Sequence, residues 1–274
     1  MDDLVRAVVL GIVQGLTEFI PVSSSGHLIL VPALFKWPDQ GLAFDAGLHV
    51  GTLGALLLYF HRDWLRMAAS GVRDTRQLRF ALRSYSDESR LLWLLAVGTI
   101  PAAIVGLLFD DWIEGHVREA WLVAITLVVG GLVMFVSDRA GSHSRSLQSV
   151  HAIDAVVVGI AQAFALIPGL SRSGMTISAA LWRGFERPDA ARFAFLLGTP
   201  AFAGAATLKA PDLAVGSGAD IVELAVGVLA SFVVGLGAIR YLLLWLQRGG
   251  LGPFVVYRFG VAAATLGVAA VRTL

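Results

Sequence analysis

Cysteine is absent from the 274 residues. Disulfide frameworks, thiolate metal sites and cysteine-nucleophile phosphatases are thereby excluded, while the redox compartment stays undetermined. Charge is scarce too. Asp, Glu, Lys and Arg make up 15% of the chain, where a soluble domain carries about a quarter. The formal net charge is only +1, so no acidic polymer, nucleic acid included, is implied as a partner. A basic n-region is also missing. Asp2 and Asp3 stand in its place and Glu18 follows a short apolar run, so the N-terminus is not expected to be a cleavable signal.

Apolar residues are abundant, at 57% of the chain. Leu91–Phe109 and Ala120–Ser137 run without a charge, and each can cross about 30 Å of hydrocarbon. The expectation is an all-α integral membrane protein. Six segments have the length of spans: about 41–60, 91–109, 120–137, 192–209, 221–246 and 253–271. Four shorter ones form two pairs, about 4–19 with 23–35 and 152–167 with 173–184. Each pair is broken by a Pro/Ser/Gly stretch, Pro21–Gly26 or Pro168–Gly174. Proline and glycine stop helices, and serines satisfy the freed backbone groups. Each pair is therefore expected to be a re-entrant helical hairpin buried in protein.

Arginine distribution sets the expected orientation. The loop 61–90 holds Arg62, Arg66, Arg73, Arg76, Arg79, Arg83 and Arg90 and is expected to be cytoplasmic. Alternation then puts Asp110, Asp111 and Glu114 outside, Arg139, Arg145, Arg183, Arg187 and Arg192 inside, Asp212 and Asp220 outside, and Arg248 inside. The first hairpin must enter from the outer face, with Arg6 and Lys36 as minor exceptions.

An internal repeat gives the same topology independently. Gly11, Ile12, Gln14, Ser23, Ser25 and Gly26 match Gly159, Ile160, Gln162, Ser171, Ser173 and Gly174 at one constant offset. The single membrane domain, 1–274, then divides into repeat 1, about 1–137, and repeat 2, about 150–274. A hairpin plus three spans crosses an odd number of times, so the copies must be inverted. Inverted repeats bring their broken elements together near the midplane.

Ionisable residues inside apolar context include Glu18, His27, Asp45, His49 and Arg172. A charge at membrane depth costs about 2.5–3.5 kcal/mol on insertion scales, which makes each a functional candidate. A structural Glu18–Arg172 ion pair is the bland alternative. Gln14 and Glu18 are spaced i, i+4 and share one helix face, and Ser23, Ser24 and His27 lie at the break. The other copy offers Ser171, Arg172, Ser173 and Thr176, with Gly169 and Gly174 permitting close backbone approach. A guanidinium, hydroxyls and a helix N-terminus match phosphate oxygens. A carboxylate beside phosphate requires a cation, so Glu18 with Gln14 is the expected Mg²⁺ or Ca²⁺ site. His27 is the candidate general acid/base, or else a helix-start histidine bonded to backbone. Ser24 is the candidate nucleophile, or a phosphate ligand while water or His27 attacks. Asp45 and His49, another i, i+4 pair, line the pocket or form an interfacial pair. The copies divide the labour: Glu18 faces Leu166, His27 faces Met175 and Arg172 faces Ser24 at the constant offset.

The stretches Gln14–His27 and Pro168–Thr176 closely resemble the two signatures of the undecaprenyl-diphosphate phosphatases, also called bacitracin-resistance proteins. The first is Glu-or-Gln, three residues, Glu; the second is Pro-Gly-x-Ser-Arg-Ser-x-x-Thr. The likeness covers essentially the whole chain, and Gln14 takes the amide option at the first acidic position. The resemblance implies hydrolysis of undecaprenyl diphosphate to the monophosphate and inorganic phosphate, recycling the lipid carrier of peptidoglycan synthesis and conferring bacitracin resistance. It implies a bacterial inner-membrane location and a pocket open to the periplasm. Expected partners are the polyprenyl diphosphate and membrane lipids, with a homodimer left open. The other class of membrane lipid phosphatases is not matched, because Lys-x6-Arg-Pro does not occur. A flippase built on the same repeats is the alternative function, and a non-catalytic scaffold ranks last.

Overall fold

The computed structural model describes residues 2–38, 41–79, 84–117, 119–215 and 221–272. Arg83 and Asp220 lie outside the described residues, as do the side chains of Asp110, Asp111, Glu114 and Asp212. Eleven α-helices account for most of what is described. They are α1 (Asp2–Phe19), α2 (Ser24–Phe35), α3 (Gly41–Tyr59), α4 (His61–Leu78), α5 (Asp87–His116), α6 (Ala120–Ala140), α7 (Ala152–Phe164), α8 (Arg172–Trp182), α9 (Arg187–Val215), α10 (Ile221–Trp245) and α11 (Gly252–Arg272).

Among the described residues four helices, α5, α6, α9 and α10, are long and apolar enough to cross a membrane. Their outward faces are greasy: Leu107, Leu108, Leu229 and Val256 on α5, α10 and α11 are 62–71% exposed. Water would not tolerate such a surface, whereas lipid does. The protein is a multi-pass membrane protein. The stretch 61–90, expected as a loop, contains α4. Its arginines recur at helical spacing, Asp63 lies in its first turn and Arg76 in its last, which suits the helix dipole.

The breaks after α1 and α7 repeat one local geometry. Ser23 and Ser171 have φ of 78° and 72°, a left-handed conformation unusual for a residue with a Cβ. Each accepts a hydrogen bond on its Oγ, Ser23 from the amide of Gly26 at 3.3 Å and Ser171 from that of Gly174 at 3.2 Å. The cap satisfies an N–H group left over at the start of α2 or α8, and holds the chain in a sharp turn.

Packing follows the same pairing. Helix α1 lies along α10 and α7 along α5, while α3 meets α9 and α6 meets α11. Close crossings rest on glycine: a Cβ on Gly11 would strike the Gly227 carbonyl of α10, and one on Gly159 the Gly98 carbonyl of α5. Many of the arginines outside the two breaks are tied into ion-pair clusters. Asp63 joins Arg66 and Arg192, each at 2.7 Å. Asp154 joins Arg145 and Arg183, each at 2.6 Å, and Asp138 joins Arg187 at 2.6 Å and the Leu251 amide at 3.0 Å.

Candidate functional site

Glu18 lies in the last turn of α1, just before the first break, and is only 6% exposed. One carboxylate oxygen, Oε2, collects three groups. It accepts from Ser24 Oγ at 2.6 Å and from Gln14 Nε2 at 2.9 Å, and His49 Nε2 stands 3.4 Å away. Gln14 reaches it because i, i+4 residues share a helix face. Ser24 reaches it because the left-handed Ser23 folds α2 back over the end of α1. His49 comes from α3, and its Nδ1 donates to the Asp45 carbonyl at 2.7 Å, which points Nε2 at the carboxylate.

Arg172 enters from the other break as the first residue of α8. It is close enough to Glu18 and His49 to interact electrostatically with both. Its guanidinium carbon lies 3.8 Å from the ring centroid of Phe202, on α9, and its buried Nη1 has no protein partner among the described residues. The face of Phe202 holds the cation by its quadrupole and leaves guanidinium N–H groups free for a ligand. Acid, hydroxyl, imidazole and guanidinium thus meet where the two breaks converge.

Other expected residues are placed differently. His27 donates from Nδ1 to the Ser23 carbonyl at 2.7 Å, and its Nε2 lies 2.8 Å from the Tyr257 hydroxyl, with the two rings stacked. Both ring nitrogens are engaged, so neither is left for Ser24. The imidazole beside Glu18 is that of His49. Ser23 and Ser171 serve as caps, and each also pairs with a neighbouring hydroxyl, Ser25 or Ser173, at 3.3 Å. Thr176 donates back to the Arg172 carbonyl at 2.7 Å. These groups shape the turns, and the Ser171 cap takes one of the N–H groups expected to face phosphate. Gly169 has φ of 92°, and a Cβ there would run into Thr126 Oγ1, so only glycine fits.

Arg258, on α11, escaped the sequence reading. It is fully buried and donates to carbonyls on both breaks and on α6: Gly169 at 2.7 Å, Leu127 at 3.0 Å, Leu170 at 3.2 Å, and Pro21 and Thr126 at 3.4 Å. One guanidinium fixes the two turns relative to each other. Its signal was present in the sequence: an arginine well inside the expected span 253–271 is expensive unless it has such partners.

A divalent cation is chemically compatible with this pocket in one way. Among the described residues no group of three or more His, Asp or Glu side chains could hold a metal unaided. Gln14 Oε1, however, is buried without a hydrogen-bond partner beside the Glu18 carboxylate. A carboxylate, an amide oxygen and a hydroxyl form a hard-oxygen donor set suited to a cation shared with phosphate and water.

Comparison with known proteins decides the family. The profile described as bacitracin resistance protein BacA matches residues 7–264. The chain belongs to this family. Similar proteins include the undecaprenyl-diphosphatase of Moorella thermoacetica, 46% identical over 97% of each chain. That of Rubrobacter xylanophilus is 46% identical over 96% of this chain and 97% of its own. That of Idiomarina loihiensis is 43% identical over 95% and 97%. The Gln14–His27 and Pro168–Thr176 signatures both fall within the BacA match, and they supply Glu18, Ser24 and Arg172 to the pocket.

Proposed function

We propose that this protein hydrolyses undecaprenyl diphosphate to undecaprenyl phosphate and inorganic phosphate in the bacterial inner membrane. It thereby regenerates the lipid carrier of peptidoglycan synthesis and confers bacitracin resistance. The observation that carries the proposal is the 2.6 Å hydrogen bond from Ser24 to Glu18, set against a guanidinium with an unengaged N–H group. A hydroxyl on a carboxylate is a nucleophile with its base in place, and a cation opposite is what a transferring phosphoryl group needs.

The proposed chemistry runs in two steps. Ser24 Oγ attacks the terminal phosphorus as its proton passes to Glu18. The bond to the bridging oxygen breaks, and Glu18 passes that proton to the departing prenyl monophosphate, which leaves the carboxylate ionised again. Water then attacks the phosphoserine as it gives a proton to the ionised Glu18; the bond from phosphorus to Ser24 Oγ breaks, Oγ takes that proton back, and inorganic phosphate is released. Arg172 holds the equatorial oxygens through both steps, and His49 keeps the carboxylate oriented. His27 fixes the first break, with both its nitrogens engaged. A Mg²⁺ or Ca²⁺ ion held by Glu18 and Gln14 Oε1 would supply charge neutralisation on the diphosphate.

The scaffold proposed for this chemistry is six transmembrane helices, α3, α5, α6, α9, α10 and α11, with two re-entrant hairpins, α1–α2 and α7–α8. The packing supports an inverted repeat. If α1, α3, α5 and α6 correspond to α7, α9, α10 and α11, the α1–α10 contact maps onto α7–α5, and the α3–α9 and α6–α11 contacts map onto themselves. The arginine-rich segments are assigned to the cytoplasm and the Glu18 pocket to the periplasmic side.

Phosphate release from a long-chain prenyl diphosphate by the purified protein in detergent tests the proposal. Wild type is expected to release phosphate, and chelator is expected to stop it. Glu18→Gln, Arg172→Ala and Ser24→Ala should each lose activity by about two orders of magnitude or more. Movement of intact diphosphate across a proteoliposome without hydrolysis would contradict it.

A further inference from the structure

Gln162 lies on α7, is 1% exposed, and neither atom of its side-chain amide has a hydrogen-bond partner among the described residues. It is the counterpart of Gln14, and the contrast between the two is informative. Gln14 gives its amide N–H to Glu18. The residue corresponding to Glu18 in the second copy is Leu166, so Gln162 has no carboxylate to serve. A buried amide without partners is unfavourable, and an apolar side chain would suit such a position better unless a ligand supplies the partners.

The surroundings describe that ligand. Gln162 and Arg172 line the same cavity of about 360 Å³ between α5, α7 and α9, whose other walls include Ala102, Leu107, Leu166 and Pro200. Its two largest polar side chains are thus a neutral amide and a guanidinium with an unengaged N–H group. Apolar walls with one polar end match an amphiphile with an anionic head. Arg172 holds the reacting phosphate in the mechanism above, and the Gln162 amide lines the same cavity beside the apolar Leu107 and Leu166.

We propose that Gln162 is a substrate-binding residue that holds the phosphate retained by the product, the one esterified to the prenyl chain. Nε2 donates to a non-bridging oxygen of that phosphate. The first isoprene units lie against Leu107 and Leu166. The second copy thus keeps its glutamine for binding while the first uses its glutamine to steady the acid. This assignment rests on the diphosphatase reading.

The test uses Gln162→Met, which keeps the length and removes both polar atoms, and Gln162→Glu, which replaces the donor with a like charge. Steady-state phosphate release should show KM for a long-chain prenyl diphosphate raised roughly tenfold or more, the loss of one hydrogen bond to an anion. The value of kcat should stay within about threefold. A methylene-bridged prenyl diphosphonate, which cannot be cleaved, provides a readout besides activity. It should raise the melting temperature of wild type in detergent and of Gln162→Met by much less. Unchanged KM and an unchanged thermal shift in both variants would overturn the assignment. So would a Gln162→Met protein that melts well below wild type without ligand, because the amide would then have an internal structural role. Absence of phosphate release by wild type is a separate outcome, and it sinks the underlying activity.

Discussion

At the scale of single residues, the most consequential side chain outside the two signatures is Arg258. Its hydrogen bonds to five carbonyls tie Pro21 on one break to Gly169 and Leu170 on the other. Removing it strands carbonyls in a setting without water, and each charged hydrogen bond lost is worth about 1.5–3 kcal/mol. Arg258→Ala is therefore expected to lower thermal stability in detergent by about 3 kcal/mol or more and to abolish phosphate release. Arg258→Lys should be intermediate, because an ammonium has only three donors and no planar fork. Melting curves with parallel activity assays check this; a fully active Arg258→Ala would show that the turns hold their positions without it. Residue identity was legible in the sequence where chemistry sits in a motif, as with Glu18, Ser24 and Arg172. His49 was legible as an ionisable residue in apolar context, four after Asp45, but not as a partner of Glu18. The bond that orients its ring is local, from Nδ1 to the carbonyl four residues earlier, but the approach of α3 to Glu18 belongs to the fold. The backbone bond of His27 was legible as the helix-start alternative, whereas its partner Tyr257 was not, being remote in sequence.

At the scale of elements, hydropathy located the apolar segments because lipid exposure demands long runs without charge. Amphipathic α4 was hidden in an arginine-rich stretch read for its charge alone. Its docking has a pH signature. Asp74 on α4 accepts from the Ser86 hydroxyl at 2.6 Å and from the Ser86 amide at 2.8 Å, immediately before α5. Those bonds, with Arg73 beside it, hold its pKa down to about 2. A carboxyl whose folded pKa is depressed adds stability that is full above its unfolded value, about 3.9. That contribution disappears as pH falls through the folded value. The melting-temperature difference between wild type and Asp74→Asn should therefore be constant above pH 5 and shrink between about pH 4 and pH 2. A difference that grows on acidification would show that Asp74 is not the ionised anchor of α4.

At the scale of the whole molecule, the two halves need each other. The first supplies carboxylate and hydroxyl, the second guanidinium, and α11 locks both turns. Unequal divergence of Glu18 against Leu166 and of Arg172 against Ser24 was readable from the repeat. How near they approach was not, because that depends on glycine crossings such as Gly159 on α5. The most direct measurement is single-turnover phosphate release from a long-chain prenyl diphosphate by wild type, Glu18→Gln, Arg172→Ala and the double variant. Groups acting on one phosphoryl transfer fail together, so the double variant is expected to be no slower than the slower single variant. Losses that multiply would place the acid and the guanidinium in independent roles, and the single shared site would be wrong.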